Sequence, residues 1–219
     1  MSIDVKICGL KTDETLQAAL AAGASHVGFI FFPKSPRNIA PEEAGRLRQA
    51  ASDRAKAVAV TVDADDAALD AIVATMAPDM LQLHGKETPE RAAAVKARYR
   101  LPVMKAFSIS TPDDLRKPRA FAGIADRFLF DAKPPAGSEL PGGNGVSFDW
   151  RLLAGLDAEV DYMLSGGLNA ANIGDALRLA KPPGIDISSG VESAPGVKDV
   201  GLITEFFRAV RTAQEKSAV

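Results

Sequence analysis

Short apolar runs alternate along the whole chain with segments of helical period. The runs cover residues 5–8, 27–31, 57–62, 80–84, 103–106, 127–131, 162–165 and 185–188, each the length of a buried strand. Between them, helix starts are marked. Thr12 precedes Asp13 and Glu14, acids that a helix N-terminus favours. Pro41, Pro89 and Pro112 each suit a first helical position and are followed by acids. Leu69, Ile72, Val73 and Met76 then fall on one helical face, as do Ile173, Ala176, Leu177 and Ala180. The repeating unit is about 27 residues, close to that of a (β/α)8 TIM barrel. A doubly wound open sheet is the rival, but no G-x-G-x-x-G turn follows the first run. The pattern therefore predicts a single-domain α/β barrel over residues 1–213. Residues 214–219 are expected to be a frayed tail. Residues 134–145, rich in proline and glycine, read as a long mobile loop because the alternation resumes after them.

Alternation within the runs sorts residues into two faces. Val5 and Ile7 oppose Asp4, Lys6 and Cys8. Leu81 and Leu83 oppose Gln82 and His84. Phe128 and Phe130 oppose Leu129 and Asp131, and Ile185 and Ile187 oppose Asp186 and Ser188. The first set of each can pack on helices and the second can point into the barrel. Polar members cluster at the C-terminal ends of strands, where barrel enzymes keep their active sites. Cys8, His84, Asp131, Ser165, Asp186 and Ser188 are thus expected around one mouth. Each has a plainer reading: Cys8 as a small core residue, Asp131 as a cap, His84 as a structural histidine, Lys6 and Asp186 as an internal ion pair. Two glycine turns are more specific. Ser165-Gly166-Gly167-Leu168-Asn169 follows the seventh run and Ser188-Ser189-Gly190 the eighth. Backbone N–H groups of Gly166, Gly167, Ser189 and Gly190 can converge there on a phosphate, a recurrent feature of barrel loops seven and eight.

Composition narrows the chemistry. Lys plus Arg is 26 and Asp plus Glu 28, a net charge of −2 with no basic excess for nucleic acid. No run approaches the ~18–20 apolar residues of a membrane span, and no secretory signal is visible at the start. One cysteine and two histidines leave little for a disulfide or a metal centre. A cytoplasmic protein without metal or cofactor is expected.

Six segments in order carry a resemblance. They are Lys6-Ile7-Cys8-Gly9, Phe32-Pro33-Lys34-Ser35-Pro36-Arg37, Gln82-Leu83-His84-Gly85, a stretch from Gly142-Gly143-Asn144-Gly145 to Trp150, Leu164-Ser165-Gly166-Gly167-Leu168, and Asp186-Ile187-Ser188-Ser189-Gly190-Val191-Glu192. Together, from about residue 5 to residue 199, they resemble phosphoribosylanthranilate isomerase. The resemblance implies an aldose–ketose isomerase of tryptophan biosynthesis. It would convert N-(5-phosphoribosyl)anthranilate into 1-(2-carboxyphenylamino)-1-deoxyribulose 5-phosphate by an Amadori rearrangement. It further implies Cys8 as general base, Asp131 as general acid and Arg37 facing the anthranilate carboxylate. The expected substrate-binding set is Arg37, His84, Gly143, Gly145, Gly166, Gly167, Ser188, Ser189 and Gly190. The expected partner is a small phosphosugar, with monomer and homodimer both open. Phe130 and the long, proline-rich sixth loop depart from the family pattern.

The residue types suit that chemistry. Ring opening needs a proton that an ordinary aspartate, with a pKa of ~3.9, cannot supply at neutral pH; burial or the substrate phosphate would raise Asp131. Cys8 would remove the C2 proton, with Lys6 stabilising the thiolate. Two other readings compete. An aldolase would use Lys6 or Lys105 as a Schiff base, and a non-catalytic barrel would bind a phosphorylated ligand. For Arg37, the competing partner is a nearby acid such as Glu42 or Glu43.

Overall fold

The structure, a computed structural model, describes residues 3–138, 140–157 and 159–217. Eight strands form: β1 (Asp4–Cys8), β2 (His26–Phe31), β3 (Lys56–Thr61), β4 (Met80–Leu83), β5 (Val103–Ile109), β6 (Arg127–Ala132), β7 (Tyr162–Leu164) and β8 (Gly184–Ile187). They pair in chain order as a closed barrel, every neighbour parallel, with β8 returning to β1 so that Ile187 stands opposite Ile7. The expected barrel is therefore the fold. His84, Ser165 and Ser188 each come one residue after their strand ends, and β5 runs three residues beyond its predicted end.

Parallel strands need crossovers. Five of the seven are α-helical, namely α1 (Asp13–Ala22), α2 (Pro41–Ala51), α3 (Asp66–Met76), α4 (Pro89–Tyr99) and α5 (Ile173–Ala180), and α6 (Val200–Ser217) follows the last strand. The side chains of Thr12 and Thr88 accept the N–H of Thr15 and Arg91, capping α1 and α4. Pro41 opens α2 behind Ala40, which has no capping side chain. The crossovers after β5 and β6 are instead 3-10 helices, Pro112–Phe121 and Trp150–Gly155. Pro118 lies inside the first, where an α-helix would lose a hydrogen bond and suffer a ring clash. The last helix extends through Ser217, including the first residues of the segment expected to fray; residues 218 and 219 lie outside the described residues. A short hairpin, β9 (Glu192–Ala194) with β10 (Val197–Lys198), stands between β8 and α6 and has no counterpart in the predicted pattern.

The period-2 sorting produces two cores. Ile7, Leu81, Leu83, Phe130, Ile185 and Ile187 pack outward with helix residues such as Leu16, Leu47 and Phe206. Cys8, Val58, Val60, Met80, Met104, Ala106, Leu129 and Met163 fill the barrel. Each fully buried aliphatic or aromatic side chain contributes ~1.5–3 kcal/mol. Inside the barrel the ammonium of Lys6 donates to Asp186 Oδ1 at 2.9 Å, the internal ion pair read from the pattern. Gly28 of β2 makes room for it: a Cβ there would stand 3.1 Å from Lys6 Nζ and 3.0 Å from Cys8 Sγ.

Candidate active site

A cleft of about 760 Å³, open to solvent, occupies the C-terminal mouth of the barrel. Of the expected site residues, Cys8, Arg37, His84, Asp131, Gly143, Gly166, Gly167, Ser188 and Ser189 line it, with Ser165 and Asp186. Gly145, which is exposed, and Gly190 are not among the lining residues. A Cβ on Gly145 would meet only Ser189 Oγ, at 3.9 Å, whereas one on Gly190 would stand 1.9 Å from the Leu168 carbonyl oxygen. Strand order sets the sequence of groups around the mouth. Asp131 on β6 comes first, then the glycine turns after β7 and β8, then Cys8 on β1, then Arg37 in the loop after β2.

Cys8 ends β1 pointing inward and is buried. Burial pushes its thiol above the ordinary cysteine value, and the Asp186 carboxylate adds to the rise; the ammonium groups of Lys6 and Lys198 oppose it without cancelling it. Lys6 is itself shifted upward, because Asp186 and Cys8 outweigh the burial that disfavours its charge. That is the wrong direction for a Schiff-base nucleophile, which must be neutral. Lys105 faces the other way, out of the barrel. Its ammonium donates to Glu87 at 3.0 Å and to the carbonyls of Leu83, Gly85 and Ala106. Neither lysine is placed as an aldolase would need.

Asp131 is held from three sides. Its Oδ1 accepts the N–H of Ala132 at 2.9 Å, and His84 Nε2 lies 3.5 Å from Oδ2. Gln82 Nε2 lies 2.9 Å from His84 Nδ1, and an amide N–H donated there would leave the ring proton on Nε2, toward the carboxylate. Gly142, a residue of the long sixth loop that the sequence did not single out by itself, closes the third side. A Cβ there would stand 2.5 Å from Asp131 Oδ2, so a larger residue would have to displace the carboxylate for the loop to come down on it.

The turns after β7 and β8 lie against each other. Gly166 and Gly167 have φ values of 93° and 63°, in the left-handed region, and their N–H groups donate to no acceptor among the described residues. Ser189–Val191 forms one turn of 3-10 helix just past β8, whose first N–H groups lack helical partners. These are the donors an anion would meet. Among the described residues, no three His, Cys, Asp or Glu side chains gather as a metal would require.

Arg37 does not pair with Glu42 or Glu43. Its Nε and Nη2 donate to Glu192 Oε1 and Oε2, both at 2.8 Å, and Nη2 also donates to the Gly143 carbonyl at 3.2 Å. Glu43 instead holds Arg46 on α2. Lys198 Nζ binds the same Glu192 carboxylate at 2.5 Å. Burial works to raise Glu192, but Arg37 and Lys198 hold it down at about 2. Glu192 closes the last of the resembling segments, yet nothing in the pattern of polar and apolar positions marks it as a partner for Arg37, 155 residues away.

Comparison with known proteins follows the same line. The family described as N-(5'phosphoribosyl)anthranilate (PRA) isomerase matches residues 5–209. The chain is 74% identical to the N-(5'-phosphoribosyl)anthranilate isomerase of Mesorhizobium japonicum over 218 residues, covering 100% of both chains. It is 70% identical to that of Brucella canis, over 97% of this chain and 96% of the other. Among solved structures, it is similar to the phosphoribosyl anthranilate isomerase of Thermotoga maritima, with a TM-score of 0.86 and 32% identity, over 96% of this chain and 100% of that one. It is also similar to a phosphoribosyl anthranilate isomerase in complex with reduced 1-(o-carboxyphenylamino)-1-deoxyribulose 5-phosphate, with a TM-score of 0.83 and 30% identity over 96% of this chain and 100% of that one.

Proposed function

The chain belongs to the N-(5'-phosphoribosyl)anthranilate isomerase family, and from that premise we propose how its own residues divide the work. The enzyme carries out the Amadori rearrangement of phosphoribosylanthranilate to 1-(2-carboxyphenylamino)-1-deoxyribulose 5-phosphate, an aldose–ketose isomerisation in tryptophan biosynthesis. The phosphate sits on the N–H groups of Gly166, Gly167, Ser189 and Gly190. Asp131 gives its proton to the ring oxygen; the C1–O bond breaks, and the nitrogen lone pair closes a protonated Schiff base. That cation acidifies C2–H. Cys8 takes the proton, the C–H electrons form C1=C2, and the C=N electrons return to nitrogen. The enolamine then loses its C2 hydroxyl proton and gains one at C1, giving the ketone. Protons pass between the substrate and these two side chains, electron pairs shift within the substrate, and there is no net oxidation or reduction, so the chemistry needs no redox cofactor.

The observation that supports this reading is the order of groups around the mouth. An acid and a base stand on β6 and β1, with the phosphate turns between them and Arg37 beyond the base. A phosphosugar held at β7 and β8 would then lie between Asp131 and Cys8, with its anthranilate ring toward Arg37. His84 orients Asp131 through Nε2. The raised Cys8 means that the thiolate is scarce until the cationic Schiff base forms beside it. Every group named comes from one chain, so a homodimer is not needed for the chemistry. A phosphorylated substrate that does not cross membranes supports a cytoplasmic enzyme.

The test is turnover of freshly generated phosphoribosylanthranilate, followed by loss of its fluorescence. Cys8→Ala and Asp131→Asn should each lower kcat by ~10²-fold or more, the scale of a lost general acid or base. Circular dichroism should stay unchanged, since both groups sit at the mouth. Near-normal turnover in either variant would overturn its role.

A further inference from the structure

Arg37 reaches the cleft over a glycine. A Cβ on Gly9 would stand 2.8 Å from Arg37 Cδ, so the arginine stem lies directly on the turn that follows Cys8. Its guanidinium is then divided between two uses. The Nε and Nη2 edge is consumed by Glu192, in two parallel hydrogen bonds of 2.8 Å. Nη1 has no hydrogen-bond partner among the described residues and lies beneath Gly143, where a Cβ would stand 2.6 Å from it. The guanidinium is rigid and planar, so fixing one edge fixes where the other points.

Glu192 is in turn fixed from behind. Lys198 Nζ donates to its Oε1 at 2.5 Å, and the Gly196 N–H donates to its Oε2 at 3.2 Å. Both residues ride on the β9–β10 hairpin. That hairpin is seated on the proline-rich loop carrying Arg37: at Gly196, with φ of 80°, a Cβ would stand 2.5 Å from the Pro36 carbonyl oxygen. Lys198 also donates to the carbonyl and hydroxyl oxygens of Ser188, at 3.0 and 3.2 Å, and the Ser188 hydroxyl donates to the Cys8 carbonyl at 3.0 Å. One buried chain of contacts thus joins the arginine, the phosphate turn and the strand of the base. Its charges sum to one positive charge from two cations and one anion, the complement of a single carboxylate.

We propose that Glu192, braced by Lys198, is a positioning residue that aims Arg37 Nη1 at the substrate's ring carboxylate. This rests on the reading of Arg37 as the carboxylate anchor. A buried ion cluster could equally be plain scaffold, and the two roles part on ligand chemistry. A scaffold residue affects every ligand of the cleft, whereas an aiming residue affects only ligands that carry the carboxylate. Charge alone makes a third expectation. Glu192→Gln leaves two cations against no anion, which would tighten a carboxylate ligand if field strength were what mattered, and weaken it if aim were.

The experiment measures Kd for reduced 1-(o-carboxyphenylamino)-1-deoxyribulose 5-phosphate and for its counterpart without the ring carboxylate. For Glu192→Ala, Kd for the first should rise about tenfold, ~1.4 kcal/mol, while the second changes less than twofold. Glu192→Gln, similar in shape and able to keep one hydrogen bond, should weaken the first by about threefold, and it carries the test if the alanine variant does not fold. Equal weakening of both ligands, no weakening of either, or tighter carboxylate binding in Glu192→Gln would overturn the proposal. Arg37→Ala is measured beside them. If it fails to discriminate the two ligands, the anchor reading itself falls. If it discriminates and the Glu192 variants do not, only the positioning role falls.

Discussion

At neutral pH the single cysteine of this chain is a thiol in the free enzyme, because burial and Asp186 outweigh the two ammonium groups near it. Its alkylation by iodoacetamide, read by mass spectrometry, should therefore keep accelerating beyond pH ~9, since only the thiolate reacts. A plateau below pH ~8 would mean that the lysines win. Arg37 shows how a neighbour redefines a side chain. On its own, a guanidinium offers a fork to a carboxylate; here Glu192 already holds that fork. Arg37→Lys should then raise KM for phosphoribosylanthranilate nearly as far as Arg37→Ala, about tenfold, with a smaller fall in kcat. A lysine stem is shorter and lacks the planar group that gives one edge to Glu192 and holds the other toward the substrate. Steady-state kinetics on the two variants decide it, and an unchanged KM in Arg37→Ala would place the carboxylate elsewhere.

Between elements, the contact that matters most to the site is the one between the turns after β7 and β8. Gly190 passes so close to the Leu168 carbonyl that a methyl group has no room: a Cβ there would stand 1.9 Å from the carbonyl oxygen. Gly190→Ala must push the two turns apart and spread the N–H groups that face the phosphate. Inorganic phosphate should protect the wild-type enzyme and Ser189→Ala against thermal unfolding, and protect Gly190→Ala far less. Equal protection of all three would remove the backbone site. In the helix layer outside those turns, α6 closes the ring against α1 and α5, with Phe206 wholly buried. Phe206→Ala should cost ~3–5 kcal/mol, read from urea unfolding, while leaving KM unchanged in the fraction that stays folded.

Across the whole molecule, one buried histidine ties stability to pH. His26, at the bottom end of β2, hydrogen-bonds Ser25 through Nδ1 while its Nε2 is buried without a partner. Burial holds its pKa down to about 4, from an ordinary 6.5; Asp4 opposes the shift, and Arg127, Lys6 and Lys56 reinforce it. The unfolded chain therefore takes up the proton first. Stability falls as pH drops through the window between those values and stops falling from this source below it. The effect is of order 2–3 kcal/mol, and urea titrations at about pH 7 and about pH 4.5 should show it in the wild type but not in His26→Gln. Glu192 adds a second loss only at lower pH, between its ordinary 4.5 and about 2.

Local pattern was enough for the architecture. Alternation within each run separates barrel interior from helix layer, because side chains of a strand point to opposite faces whatever the rest of the chain does. The same alternation puts Cys8, His84 and Asp131 at one mouth and offers Lys6 and Asp186 as an internal pair, and the glycines at 166 and 167 announce a close backbone approach. Four features lay beyond it. The crossovers after β5 and β6 take 3-10 form, and the β9–β10 hairpin is too short to show a period. Gly142 looks like any loop glycine until the sixth loop is seen resting on Asp131. Arg37 and Glu192 meet across 155 residues, a pairing made by closure of the ring between β8 and β1. Chain order determined which groups could share the mouth; only closure of the barrel decided which of them touch, because a charge has no partner until the fold brings one within hydrogen-bond reach.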